Sequence, residues 1–398
     1  METPVSHAWS NVGMLEVVMA AAMLAQTGLA QTADLPRGRV IDSVQCADDP
    51  SQSYALYVPS AYTADREWPV IFAFDPGGRG LNPVEHYQAA AEKYGYIVAG
   101  SNNSRNGDWK VSMAAVSAIT RDVSARFNVS AKREYVAGMS GGARVAMGIA
   151  LSSPQVAGVF ASSAGYPDGH SRSELSFPVF ETAGTEDFNR LEMREMDRAL
   201  KSPHRLAIFE GGYVWLPSAV AMQAVEWMEI QAMKSGRKPK DQAEIDAIFA
   251  SRVAAADTSR EDAASLAAAS GIAEDFAGLE DVSRFAVRAA QLHTSRAVRD
   301  ELKQEADLDI QEEQWGQVVR GEETLLGDPA QRETALKQLR GRWKKLSEMA
   351  NLTDDTAERR MARRVLGGLS MGVTVQDPDY LAIIREYRPA RPTGGAAR

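Results

Sequence analysis

The chain has 398 residues, with 44 basic against 53 acidic side chains, a net charge of −9 and a single cysteine, Cys46. A chain of this length predicts two domains, because one hydrophobic core rarely serves so many residues. The acidic balance excludes a protein that binds nucleic acid through a basic face. The lone cysteine excludes an internal disulfide framework and a cysteine-rich zinc site.

The N-terminal part contains an unbroken run of nine apolar residues at positions 17–25. Gly28 and Ala30 follow it at the −3 and −1 positions of a cleavage site, and the run is too short to span a membrane, which takes about 20 residues. We therefore predict a signal peptide over residues 1–30 and a secreted or periplasmic protein, with no stable membrane insertion after cleavage. No Lys or Arg precedes the run and Glu16 abuts it, so a short core helix in a cytoplasmic protein is the alternative.

Residues 38–235 alternate short β-rich runs with amphipathic helical segments. The β-rich runs lie at 53–58, 69–74, 96–100, 134–138, 156–162, 178–182 and 205–209. The helical segments lie at 84–94, 114–127, 144–151 and 189–200. Several runs are almost entirely apolar, as in strands buried on both faces of a parallel sheet, so they predict an α/β domain with a doubly wound, mostly parallel sheet. Ligands of such sheets bind beyond the carboxyl ends of the strands.

The density of charged residues rises after a polar Gly/Pro segment at 235–240, which has the composition of a linker. Beyond it apolar residues recur with a helical period, and Ser259 and Thr353 are candidate N-caps. We predict an all-α domain of about six helices over residues 241–388, with tetratricopeptide-like stacking as an alternative that no clean period supports. This domain is the candidate surface for contact with another protein. The Gly-, Ala- and Pro-rich tail at 389–398 is predicted to be disordered.

One motif in the first domain indicates chemistry. Gly138, Ser140 and Gly142 form G-x-S-x-G between the apolar strand at 134–138 and a helix that begins near Ala143. In this strand–turn–helix context the motif predicts a nucleophile elbow, a sharp turn that exposes a serine Oγ at the top of the sheet and needs small neighbours. The alternative is a glycine-rich turn with an inert serine.

Two further motifs end predicted strands at the same edge of the sheet. Phe-Asp-Pro-Gly-Gly-Arg-Gly occupies residues 74–80, and Ala-Gly-Thr-Glu-Asp occupies residues 183–187. With the elbow, these motifs make residues 40–234 resemble the α/β-hydrolase family, in particular secreted esterases related to polyhydroxybutyrate depolymerases and feruloyl esterases. The resemblance implies the α/β-hydrolase fold and a carboxylic ester hydrolase that acts on a small ester or a polyester.

The resemblance also implies roles for individual residues. Ser140 is the nucleophile and Asp187 the triad acid, in agreement with the Ser…Asp…His chain order of these hydrolases. The oxyanion hole is formed by the backbone N–H of Gly77 or Gly78 together with that of Gly141, two donors aimed at developing negative charge. A plain strand-ending turn is the alternative for the first glycine run.

The third triad position departs from the family pattern. The resemblance places a histidine after the glycine pair at 211–212, where this chain has Tyr213. A phenol with a pKa of about 10 is protonated at neutral pH and is a poor acceptor for the serine proton. Of the five histidines, only His170 lies in a loop at the predicted catalytic edge, so it is the candidate surrogate base. A surface histidine is the alternative.

The loop at 101–109 is predicted to lie at the same edge. Its polar groups suit a substrate rim, to which we assign Asn103, Arg105 and Trp109, together with Trp215. An ordinary polar loop packed by one aromatic residue is the alternative. No His, Asp or Glu residues have metal-ligand spacing and no phosphate-binding glycine motif precedes a helix, so neither a metal nor a cofactor is expected.

Two functional hypotheses follow from these residues. The first is a serine hydrolase for carboxylic esters that uses Ser140 and Asp187, with activity weakened or lost because Tyr213 stands at the histidine position. The second is a non-catalytic binding protein with a hydrolase fold, whose pocket holds a ligand. Tyr213 favours the second hypothesis, whereas the retained serine, acid and glycines favour the first.

Overall fold

The computed structural model describes residues 35–167 and 169–388. The signal peptide predicted at 1–30 and the disordered tail predicted at 389–398 lie outside the described residues. No helix within these ranges is both long and apolar enough to cross a membrane.

The first part of the chain is built on an eight-stranded sheet. Its strands in chain order are β1 (Val40–Gln45), β2 (Ser53–Tyr57), β3 (Trp68–Phe74), β4 (Ile97–Ser101), β5 (Val129–Met139), β6 (Val156–Ser162), β7 (Val179–Gly184) and β8 (His204–Phe209). In space they follow the order β1-β2-β4-β3-β5-β6-β7-β8, and β2 runs in the direction opposite to the other seven strands. This is the strand order of the α/β-hydrolase fold, so the predicted fold class is confirmed.

Five helices cover the two faces of the sheet. They are α1 (Leu81–Tyr94), α2 (Trp109–Arg126), α3 (Gly141–Ser152), α4 (Arg190–Ala199) and α5 (Ser218–Lys234). Helices α1 and α5 pack on one face, and α2, α3 and α4 pack on the other. Strand β3 is buried along its whole length because both faces are covered. The carboxyl ends of β3, β5, β6, β7 and β8 meet at one edge, where their loops come together.

Seven α-helices follow between residues 241 and 388. They are α6 (Gln242–Ala255), α7 (Ala263–Asp275), α8 (Ser283–Thr294), α9 (Arg296–Thr324), α10 (Arg332–Ala350), α11 (Ala357–Met371) and α12 (Pro378–Tyr387). Helices α6, α7 and α8 share a core with the end of α5, built around Met233, Ile248 and Phe276. Helices α10, α11 and α12 form another core with the end of α9, around Trp343 and Tyr380. The segment at 235–240 thus lies between α5 and α6, whose side chains share one core.

Candidate active site

Ser140 lies at the turn between β5 and α3 with φ +55° and ψ −125°. This conformation is rare for a residue with a side chain and costs about 1–3 kcal/mol, so the surroundings must impose it. Glycines allow the necessary close approaches: a Cβ on Gly138 would lie 2.1 Å from the Gly142 carbonyl oxygen, and one on Gly142 would lie 1.9 Å from that of Phe74. The turn therefore has the geometry of a nucleophile elbow, and Ser140 is partly exposed at the carboxyl edge of the sheet.

Tyr213 lies beside Ser140, close enough for the serine side chain to influence its pKa. The pKa of Tyr213 is raised above its ordinary value of 10.0, mainly because burial disfavours the phenolate. The Ser140 side chain offsets part of this increase in the pKa, and the charge of Asp187 adds to it. Tyr213 is therefore a protonated phenol at neutral pH, in contact with the predicted nucleophile.

Asp187 follows β7, and its side chain is fully buried. One carboxylate oxygen accepts a hydrogen bond from Ser163 Oγ at 2.5 Å, and the other accepts one from the Asn189 backbone N–H at 2.8 Å. Burial raises the pKa of Asp187 to about 6, because these hydrogen bonds offset the cost of desolvation only in part. Ser163, like Ser140, has a strained backbone, with φ +55°. It holds the predicted acid in place, and no sequence motif marks it.

The loop after β3 is organised by Asp75, a fully buried residue. Asp75 Oδ1 accepts a hydrogen bond from the Gly77 N–H at 2.8 Å, and the Asp75 carbonyl oxygen accepts one from the Gly78 N–H at 3.1 Å. Both N–H groups are engaged within the loop, so this conformation does not offer the predicted first oxyanion donor. Gly141 differs, because it is the first residue of α3, where a backbone N–H has no acceptor within the helix.

Asn106 is the side chain that lies over Gly141. A Cβ on Gly141 would come within 1.8 Å of Asn106 Oδ1, so only a glycine leaves room for this carboxamide. The backbone N–H of Asn106 donates to the Pro76 carbonyl oxygen at 2.9 Å, which fastens its loop to the loop after β3. No motif marks Asn106 in the sequence, and only its place in the predicted rim loop relates it to the site.

The predicted rim residues divide between exposed and structural positions. Arg105 is exposed. The Asn103 carboxamide fastens the loop to the start of β2, and Trp109 packs against helix α3. Trp215 is 5% exposed and its indole N–H donates to Asp75 Oδ2 at 2.8 Å. The prediction of a rim position is therefore wrong for Trp215, because its ring is buried and braces the loop after β3.

His170 is exposed, and within the described ranges no hydrogen bond joins its ring to Ser140, Tyr213 or Asp187. The role of His170 as a surrogate base therefore stays a prediction, with no hydrogen bond between described residues in its support. His204 lies at the opposite, amino end of β8. In the same part of the chain, no group of three or more His, Cys, Asp or Glu side chains is arranged to hold a metal ion.

No protein-family model matches this chain, and no curated protein matches it. This chain is similar to the structure of a thermostable esterase, with 16% sequence identity and a TM-score of 0.37. The match covers 47% of this chain and 61% of the esterase, so it leaves out more than a third of the esterase. A ferulic acid esterase matches with 15% identity and a TM-score of 0.39, over 48% of this chain and 97% of that one. The order of the strands in its sheet identifies this chain as a protein of the α/β-hydrolase fold.

Proposed function

We propose that this protein is a serine hydrolase for carboxylic esters, with Ser140 as its nucleophile and an activity limited by Tyr213. The observation that carries the proposal is the strained backbone of Ser140, with φ +55°. Such strain persists where the surrounding structure imposes it, and here it presents the serine at the edge where ligands of doubly wound sheets bind. The motifs that resemble those of secreted esterases support the same class of reaction.

The reaction begins with attack of Ser140 Oγ on the acyl carbon of the ester, which requires the serine proton to leave. Tyr213 lies beside that hydroxyl, but a phenol with a raised pKa keeps its proton at neutral pH. The serine proton must instead pass to hydroxide from the solvent, so proton removal is the step that this site performs poorly at neutral pH. The negative charge that develops on the acyl oxygen is stabilised by the Gly141 N–H and by the Nδ2–H group of Asn106, since only the nitrogen of a carboxamide donates a hydrogen bond.

A second candidate function is supported by the surroundings of Asp187. Its carboxylate accepts hydrogen bonds from Ser163 and Asn189, and the neighbouring Tyr213 is neutral, so Asp187 has no imidazolium to stabilise. A site without a base beside Ser140 can hold a polar ligand without transforming it. In this case the protein is a non-catalytic binding protein that retains the hydrolase fold.

Hydrolysis of short p-nitrophenyl esters by the wild type and by Ser140→Ala separates the two functions. We expect the wild type to be faster and to form a covalent adduct with a fluorophosphonate probe at Ser140. Ser117→Ala, at a partly exposed serine of α2, is the matched control and should keep the wild-type rate and adduct. Equal rates for the wild type and Ser140→Ala, without an adduct, would leave the binding protein as the function.

A further inference from the structure

Helix α11, in the C-terminal helical region, lies against the loop after β7. Arg364 of α11 is 5% exposed, and its Nη1 donates to the carbonyl oxygen of Thr185 at 2.8 Å. Its Nε and Nη2 donate to Glu312 of α9 at 2.8 and 2.6 Å, so a buried ion pair holds the guanidinium in place. Arg363 adds an ion pair to Glu186 at 2.6 Å. The helical region is thus bound to the loop that carries the predicted acid.

Thr185 joins this loop to the loop after β8, which carries Tyr213. Its backbone N–H donates to the Phe209 carbonyl oxygen at 2.8 Å, and its Oγ1 accepts from the Gly211 N–H at 3.3 Å. The Glu186 N–H donates to the Gly211 carbonyl oxygen at 2.8 Å. The two loops therefore form one hydrogen-bonded unit, and α11 is attached to that unit through Thr185.

Phe188 extends the contact to Tyr213 itself. The centroids of the two rings lie 4.3 Å apart, with their planes at 31°. Phe188 also meets α11 at Gly367 and Gly368, where an added Cβ would lie 3.4 and 3.5 Å from the Phe188 side chain. Helix α11 thus supports the ring of Tyr213 through one intervening side chain.

We propose that the C-terminal helical region completes the hydrolase site, with Arg364 as a positioning residue that fixes Asp187 and Tyr213 relative to Ser140. This inference rests on the proposed function. Ser140 is held separately by β5 and β6, where its N–H donates to the Ser162 carbonyl oxygen at 2.8 Å. Loss of the Arg364 contact therefore displaces the other two members of the site and leaves the elbow in place.

The test compares full-length Arg364→Lys with full-length Arg340→Lys. Lysine keeps a positive charge beside Glu312, but its single ammonium cannot reproduce the planar fork that joins Glu312 to the Thr185 carbonyl. Arg340 lies on α10 and pairs with Glu386 of α12. It is the matched control, because it lies in the same helical region and its partner belongs to neither loop.

In the Tyr213→His background, where residue 213 can accept the serine proton, we expect Arg364→Lys to lower kcat for a p-nitrophenyl ester by about tenfold or more with KM unchanged, since a misplacement of about 1 Å can cost 100-fold. Independently of catalysis, hydrogen exchange of the otherwise wild-type Arg364→Lys protein should accelerate about tenfold in both loops, at residues 185–188 and 210–213. Arg340→Lys should match its parent protein in both readouts. An unchanged kcat or an unchanged exchange rate in a folded Arg364→Lys protein would overturn the proposal.

Phe188→Leu is a second variant for the case in which Arg364→Lys does not fold. It keeps the ion pairs of α11 but removes the aromatic contact with Tyr213, so exchange should accelerate at residues 210–213. Unchanged exchange there would contradict the proposal. If the wild type hydrolyses no ester, the proposed function fails, while the exchange measurement still decides whether α11 positions the two loops.

Discussion

Tyr213, which the resemblance to secreted esterases places where a triad histidine is expected, sets the chemistry of the proposed site. Tyr213 reaches Ser140, but burial keeps its pKa above the ordinary value, so it holds its proton where an imidazole would accept one. Because the phenol is neutral, no positive charge forms at Tyr213 for the Asp187 carboxylate to stabilise. The pKa of about 6 at Asp187 is the result of burial without a cationic partner.

The raised pKa of Asp187 predicts that Asp187→Asn changes stability in a pH-dependent way. The folded protein titrates this group near pH 6 and the unfolded chain near 3.8. The stability that comes from the protonated Asp187 carboxyl is therefore full below about pH 4 and is lost as the pH rises through 6. Asparagine does not ionise and keeps an acceptor for Asn189. The variant should therefore be more stable than the wild type above pH 6, by up to about 3 kcal/mol, and show little difference at pH 4.

Urea unfolding at pH 4 and pH 7.5 measures this difference. Asp307→Asn, at an exposed carboxylate of α9, is the control and should not change the pH dependence. The prediction for Asp187→Asn is wrong if its stability relative to the wild type is the same at both pH values.

The contact between Gly141 and Asn106 predicts that substitutions at these two positions are not additive. In Gly141→Ala the new Cβ would overlap the Asn106 carboxamide, whose exposed side chain can rotate away with little cost in stability. If that carboxamide stabilises the oxyanion, Gly141→Ala and Asn106→Ala each lower kcat by about 100-fold, and the double variant falls no further. Ester hydrolysis by the three variants tests this, and losses that multiply in the double variant would contradict it.

At the level of secondary structure, the contact between α4 and α9 is ionic. Arg190, Arg194 and Arg198 recur every four residues along α4, and they face Glu305 and Asp309 on α9. Residues four apart lie on one face of a helix, so the two helices present rows of opposite charge. Asp309 is 5% exposed and lies within ion-pair distance of all three arginines.

Asp309→Asn should therefore destabilise the protein more than a surface substitution does. Removing one partner of a buried ion pair leaves uncompensated charge and costs about 3–5 kcal/mol. Asp307→Asn, two residues away on the same helix and exposed, should change the free energy of unfolding by less than about 0.5 kcal/mol. Urea unfolding of both variants measures the contrast, and equal effects would show that the α4–α9 contact does not depend on Asp309.

The N-caps of α7 and α11 differ from the residues predicted from the sequence. Ser259 and Thr353 were the predicted N-caps, but the structure uses Asp262 and Thr356, each three residues further along. Asp262 accepts a hydrogen bond from the Ser265 N–H at 2.8 Å. Ser, Thr and Asp all cap helices well, and where several lie together the first turn that packs against the core determines which one is used.

Across the whole molecule, the parts predicted from sequence are those encoded by neighbours in the chain. Strand β3 is apolar along its length and Ser140 lies in a local strand–turn–helix pattern, so both are recognisable without the fold. Edge strand β1, Val-Ile-Asp-Ser-Val-Gln, mixes polar with apolar residues because one side of it is not covered. For this reason it lies outside every predicted run.

The contacts that shape the site join residues far apart in the chain. Asn106 lies over Gly141, and Arg364 contacts Thr185 from a distance of 179 residues in sequence. Such pairings depend on how helices and loops pack in the folded protein and leave no local pattern. The position of Ser140 at the turn after β5 was therefore predictable, whereas the contacts made by Asn106 and Arg364 were not.

The pH dependence of ester hydrolysis by the wild type and by Tyr213→His tests most directly whether Tyr213 limits a serine hydrolase. We predict that the wild-type rate keeps rising into the alkaline range, while Tyr213→His is about 100-fold or more faster at pH 7 to 8 and reaches a plateau once its imidazole is neutral. Adding Ser140→Ala to Tyr213→His should abolish the gain. A Tyr213→His protein that is no faster than the wild type at pH 7 would contradict the proposal that Tyr213 occupies the position of the general base.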